Sequence, residues 1–180
     1  MNLANILTLS RIIVVPIIAV LLLDDNVLNS LIAAVLFLVA SITDYVDGYL
    51  ARRMHMESDL GKLLDPLADK LLISTVLIML IPLDRVPAWM VAVMIGREMA
   101  VTGLRGIASE KQVVIAASWL GKYKTAFQCV AGFPLLVHYP IFGLQFQQGG
   151  EFFLWIAFFF SLWSGWEYMY GYARSIFSNG

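Results

Sequence analysis

A chain of 180 residues that is 60% hydrophobic and 14% charged departs from soluble domains, which carry about 25% charged residues. A soluble fold of this size has too much surface for its volume to hide that apolar content, and the mean hydropathy of +0.79 agrees. A net charge of −1 leaves no electrostatic case for nucleic-acid binding. The expectation is an all-α integral membrane protein, one domain over residues 1–180, with the lipid bilayer as a partner and no nucleic acid.

From the N-terminus, Asn5–Leu23 is the first apolar run. A secretory signal would carry its positive charge ahead of that run and a small-residue cleavage site behind it. Here the charge is Arg11, and Asp24, Asp25 and Asn26 follow, so the segment is expected to stay as a first membrane helix. A bilayer crossing takes about 20 residues, which also fits Leu28–Leu50, Leu63–Leu83, Pro87–Ile107, Leu120–His138 and Phe152–Tyr172. Six transmembrane helices result. Pro82 and Pro87 bracket the third loop and Pro140 opens the fifth (Tyr139–Glu151), as suits residues that cannot continue a helix. Trp89, Trp155, Trp163 and Trp166 are expected to anchor at interfaces. The lone Cys129 can form no intrachain disulfide and is read as a small hydrophobe in a helix core.

Lys and Arg positions orient these helices. Arg52, Arg53 and Lys62 fall in the second loop, Arg105, Lys111, Lys122 and Lys124 in or beside the fourth, and Arg174 in the C-terminal tail. The first and fifth loops have none, and the third has Arg85. By the positive-inside rule both termini and the second and fourth loops face the cytoplasm.

At the cytoplasmic ends of helices two and three lies a polar run, Thr43 to Asp69, with four aspartates. Asp44 and Asp47 are three apart and Asp65 and Asp69 four apart, so each pair shares one helix face. Embedded in a membrane, each would cost roughly 2.5–3.5 kcal/mol. The sum, on the order of 10–14 kcal/mol, rivals the stability of a whole fold. Lys70 and Arg52 supply part of the neutralisation, but neither sits between two carboxylate pairs as a divalent ion does. All-oxygen ligands favour Mg²⁺ or Mn²⁺, and a two-metal carboxylate site suits phosphoryl transfer. Zinc is disfavoured, because His55 and His138 fall on opposite expected sides of the membrane. A proton or ion path through the carboxylates is the competing reading.

The spacing Asp44-x2-Asp47-Gly48-x2-Ala51-Arg52-x8-Gly61-x3-Asp65-x3-Asp69 resembles the signature of CDP-alcohol phosphatidyltransferases at every fixed position. That resemblance implies a six-helix membrane enzyme with its active site at the cytoplasmic interface. In it an alcohol attacks the phosphatidyl phosphorus of a CDP-lipid and CMP leaves. It also implies two ions (Mg²⁺ or Mn²⁺) held by Asp44, Asp47, Asp65 and Asp69, with Asp69 also the general base. Gly48 and Ala51 would leave room for the nucleotide, Arg52 would face the nucleotide or its diphosphate, and Gly61 would permit close approach at the start of helix three. The segment Asn5-x2-Thr8-x2-Arg11 is similar to one that helps bind the CDP diphosphate. The proline that often precedes that asparagine in bacterial members is Ala4 here. Arg11 as a plain interfacial anchor is the other reading.

The acceptor is to be sought in Arg97-Glu98, Gly103-Leu104-Arg105 and Lys122-x-Lys124-Thr125. A phosphate-bearing acceptor needs a cationic pocket, which Arg97, Arg105, Lys122 and Lys124 would line. Glu98 is either Arg97's neutralising partner or a separate packing contact. The arrangement is similar to bacterial members of the family that use CDP-diacylglycerol and sn-glycerol 3-phosphate, which implies a multi-pass protein of the bacterial cytoplasmic membrane. The family's usual association implies a homodimer. Serine or inositol phosphate as acceptor, and a small ion-coupled transporter, are the alternatives.

Overall fold

The computed structural model describes residues 3–54, 59–110, 119–140 and 143–178, with side chains described for 9–43, 67–108, 119–140 and 143–171. Within these, the chain is all-helical. It runs α1 (Leu3–Leu21), α2 (Val27–Met54), α3 (Asp59–Leu80), α4 (Ala88–Glu110), α5 (Trp119–Val137) and α6 (Phe146–Ser178). The six expected helices are present.

Local chemistry sets the ends on the side of the short loops. Asn26 caps α2: its Oδ1 accepts the Leu28 amide at 2.9 Å and its carbonyl accepts the Ser30 amide, satisfying donors the first turn leaves open. After α3 the chain turns through Asp84 at φ 54°. The Arg85 amide bonds the Leu80 carbonyl and the Asp84 amide the Ile81 carbonyl, the pairing of a Schellman motif. α5 ends on His138 at φ 56°, and Pro140 blocks continuation. The expected fifth loop is shorter than Tyr139–Glu151, because α6 already begins at Phe146. The polar residues there are accommodated by contacts: Gln147 Nε2 donates to Glu151 Oε1 at 2.6 Å and to the Arg85 carbonyl at 2.9 Å.

α1 packs against α2 and α3, α2 against α5, and α4 against α6, while α5 lies along α6. Two glycines allow close approach. A Cβ on Gly132 of α5 would stand 2.6 Å from the Phe37 ring of α2, and one on Gly150 of α6 would meet Leu135 Cγ at 2.7 Å and its backbone nitrogen at 3.0 Å. Ile18, Phe37, Val76, Leu80, Leu135 and Leu154 are buried together where the helices meet. Outward-facing apolar residues such as Ile13, Val20, Val35, Val39, Phe159 and Trp166 are exposed. Among the described residues no helix is long and apolar enough to cross a membrane; Arg97, Glu98 and Arg105 interrupt α4, and Lys122 and Lys124 interrupt α5.

The third loop carries a buried cation. The Arg85 side chain is fully buried and donates to the Leu136 carbonyl at 2.9 Å, Ser30 Oγ at 2.9 Å and Asp25 Oδ1 at 2.6 Å. Tyr139 donates its hydroxyl to Asp25 and lies against the guanidinium. The Arg85 hydrogen bond holds the Asp25 carboxyl below its ordinary 3.8. Loss of solvent and the neighbouring Asp25 carboxylate push the Tyr139 hydroxyl up. Arg85, the exception in the loop-charge pattern, is thus consumed by internal bonds joining the first, third and fifth loops.

Candidate active site

About 16 Å back along α3 from its last residue, Leu80, Asp69 stands midway along that helix. Its Oδ1 accepts from Arg11 Nη1 at 2.9 Å. Arg11 is buried, at 3% exposure, whereas the Asp69 side chain is 37% exposed. The expected base and the expected diphosphate arginine are therefore in direct contact.

Asp69 borders a cavity of about 180 Å³ between α3, α4 and α5, which Lys70, Ser74, Glu98, Lys124, Thr125 and Gln128 also line. Spacing explains the convergence. Lys70 and Ser74 are four apart on α3, as are Lys124 and Gln128 on α5, so each pair stacks on one face. Apolar Ile73, Leu77, Met94 and Ile95 close the inner end.

Glu98 lies among three cations. Its carboxylate accepts from Lys124 Nζ, lies 3.2 Å from Arg97 Nη1 and 3.6 Å from Lys70 Nζ. Lys70 also donates to Thr102 Oγ1 at 2.6 Å, and that hydroxyl donates to the Glu98 carbonyl at 2.7 Å. Successive helix residues point about 100° apart, which separates Arg97 from Glu98. Arg97 turns towards α6, donating from Nη2 to Ser164 Oγ at 2.7 Å, and Gly165 leaves it room: a Cβ there would lie 3.0 Å from Arg97 Cγ and Nε. Of the two readings of Glu98, partner of Arg97 is the observed one, and Lys124 and Lys70 share it.

Of the four expected acceptor cations, Lys124 lines the cavity and is buried, at 5% exposure. Arg97 reaches it through Glu98. Arg105 lies over the Tyr168 ring at 6.0 Å, and Lys122 over the Trp119 ring at 4.3 Å; neither borders the cavity. The side chains of Asn5, Thr8, Asp44, Asp47, Gly48, Ala51, Arg52, Gly61 and Asp65 lie outside the described residues, as does His55. Among the described residues no three His, Cys, Asp or Glu side chains form a metal-binding group.

Sequence reasoning gave Lys70 only a neutralising part and left Ser164, Gly165 and Gln128 without a role. Lys124 and Gln128 at helical spacing carried a usable signal. Ser164 and Gly165 had none, because their meaning depends on Arg97 crossing from another helix.

Residues 1–163 match the model of the CDP-alcohol phosphatidyltransferase family, and the chain belongs to that family. It is 45% identical to a CDP-diacylglycerol–glycerol-3-phosphate 3-phosphatidyltransferase of Bacillus subtilis (strain 168), over 93% of each chain. A protein of the same name from Rickettsia typhi is 39% identical, over 93% of this chain and 94% of its own length. A probable phosphatidylglycerophosphate synthase of Mycobacterium tuberculosis (strain ATCC 25618 / H37Rv) is 44% identical, over 72% of this chain and 63% of its own.

Proposed function

We propose that this chain is a membrane enzyme that transfers the phosphatidyl group of CDP-diacylglycerol to sn-glycerol 3-phosphate, giving phosphatidylglycerophosphate and CMP. The relatives' printed names support this reading. The observation that carries it is the cavity joining Asp69 to a surplus of positive charge. Counting the ion-paired groups at and behind its wall, Arg11, Lys70, Arg97 and Lys124 stand against the Asp69 and Glu98 carboxylates, a surplus of two. That surplus matches the charge of a phosphate monoester dianion and exceeds what zwitterionic serine needs.

In this reading Asp69 accepts the proton of the acceptor's C1 hydroxyl as that oxygen attacks the phosphatidyl phosphorus. Arg11 holds the carboxylate in place. Lys124 and Lys70 orient the acceptor's phosphate, so that its hydroxyl rather than its anionic end meets Asp69. Asn5, Thr8, Arg11, Gly48, Ala51, Arg52 and Gly61 hold the CDP-lipid, on the family resemblance. Asp44, Asp47, Asp65 and Asp69 would hold two Mg²⁺ or Mn²⁺ ions. Their all-carboxylate donor chemistry fits hard cations, and the Asp69 carboxylate, partly open beside the cavity, is accessible to one. Bound there, the ions would clamp phosphate oxygens and spread the charge of the transition state.

A bilayer setting is part of the proposal. It is supported by the exposed apolar residues of α1, α2 and α6, a surface that water does not favour, and by the 60% hydrophobic composition. Loop charges support cytoplasmic termini and a cytoplasmic active site, in the bacterial inner membrane. The homodimer rests on family resemblance, and cross-linking in membranes tests it.

The deciding experiment offers glycerol 3-phosphate, serine and inositol phosphate separately to purified enzyme with CDP-diacylglycerol. CMP release with glycerol 3-phosphate alone is expected. Release with serine or inositol phosphate instead removes the acceptor assignment.

A further inference from the structure

Lys70 and Lys124 belong to different helices, carry like charge and lie beside the same small cavity. Left to themselves they would repel and splay. Glu98 touches both, and touches Arg97 behind them. We propose that Glu98 is a positioning residue for the acceptor phosphate: its carboxylate fixes the two ammonium groups at the spacing and direction in which their remaining N–H donors meet that phosphate.

The donor inventory supports this. An ammonium has three donors. Lys70 gives one to Thr102 Oγ1 and turns towards Glu98, and Lys124 donates to Glu98, which leaves each at least one donor for the cavity. Arg97 is committed differently, with one terminal nitrogen on Glu98 and the other on Ser164. It adds positive charge from behind and anchors the Glu98 carboxylate to α6. Thr102 ties Lys70 to the backbone of Glu98 itself, so the carboxylate and both ammonium groups form one interlocked unit. A residue present only to neutralise buried cations would need no such shared geometry.

The inference rests on reading the cavity as the acceptor site, and the test separates the two. Glu98→Gln, Glu98→Asp and Lys124→Gln are each assayed for kcat, for KM of glycerol 3-phosphate and for KM of CDP-diacylglycerol. For Glu98→Gln the acceptor KM should rise about tenfold or more, while kcat and the CDP-diacylglycerol KM change by less than about threefold. Glu98→Asp keeps the charge but withdraws it by one methylene, and its acceptor KM should fall between wild type and Glu98→Gln. If Lys124→Gln raises the acceptor KM and Glu98→Gln does not, the cavity keeps its role and Glu98 loses the one proposed. If neither moves it, the acceptor-site reading fails and takes this inference with it. Should Glu98→Gln not fold, Glu98→Asp decides: a wild-type acceptor KM shows that the carboxylate's position is immaterial and overturns the proposal.

Discussion

Arg11 and Asp69, 58 residues apart in sequence, meet side chain to side chain at 2.9 Å. The contact fastens the first helix to the third where the proposed nucleotide and acceptor regions adjoin. A buried arginine committed to a partly open carboxylate orients that carboxylate as well as neutralising it. Arg11→Gln should lower kcat/KM by about 10- to 100-fold, the loss expected for a charge-assisted hydrogen bond of about 1.5–3 kcal/mol, and Arg11→Lys should recover part. Asp69→Asn should lose about 10²- to 10⁴-fold in kcat, the usual contribution of a general base. CMP release at saturating CDP-diacylglycerol measures both, and wild-type turnover by Asp69→Asn would remove Asp69 as the base.

Metal dependence follows from the carboxylate-rich motif. Chelation should abolish CMP release, and Mg²⁺ or Mn²⁺ should restore it, while Ca²⁺, with its looser and more variable coordination, should do so poorly. Full activity after exhaustive chelation would exclude the two-ion proposal.

Where the short loops join the helices, acid should loosen the Arg85 cluster. The Arg85 hydrogen bond lowers the Asp25 carboxyl below 3.8, so Asp25 binds a proton less readily in the folded protein than in the unfolded one. Its contribution to stability is therefore fully present above pH 3.8 and fades as pH falls through the lower folded value. The effect is modest, because the Asp25 side chain is 56% exposed. Thermal melting in detergent should show wild type losing its advantage over Asp25→Asn as pH falls below 3.8. A difference that stays constant with pH would refute the linkage.

Gly150 should tolerate little. A side chain there meets the Leu135 backbone as well as its side chain, and backbone cannot step aside as a flexible chain end can. Gly150→Val is expected to cost about 1–3 kcal/mol through overpacking. The same substitution at Gly149, where a Cβ meets nothing within 4 Å, is the control. Equal melting temperatures for the two variants would show that α5 and α6 yield at this contact.

Much of the fold was legible because lengths of apolar sequence report helices directly. Their ends were less so. α2 runs on to Met54 and α3 begins at Asp59, each four residues beyond the expected bound, since a helix needs only its own backbone bonds and does not stop where its side chains become polar. The early start of α6 was hidden because Gln147 finds its partners in the Arg85 loop. In the site, Asp69 and Lys124 could be picked from motif and charge. The crossing of Arg97 to Ser164, 67 residues away, depends on how two helices are rotated against each other, which no single-helix pattern encodes. Arg85 read as a loop charge, because burial of a cation is legible only with its acceptors in view.

Those partners are made at different times in synthesis. Asp25 and Ser30 precede Arg85 in the chain, whereas the Leu136 carbonyl comes after it, as does Gln147, which donates to the Arg85 backbone carbonyl. A nascent chain that has made only its first four helices therefore holds an arginine whose bonding shell is incomplete. The last acceptor of the guanidinium arrives with Leu136 in α5, so a chain cut before that helix leaves Arg85 buried short of a partner.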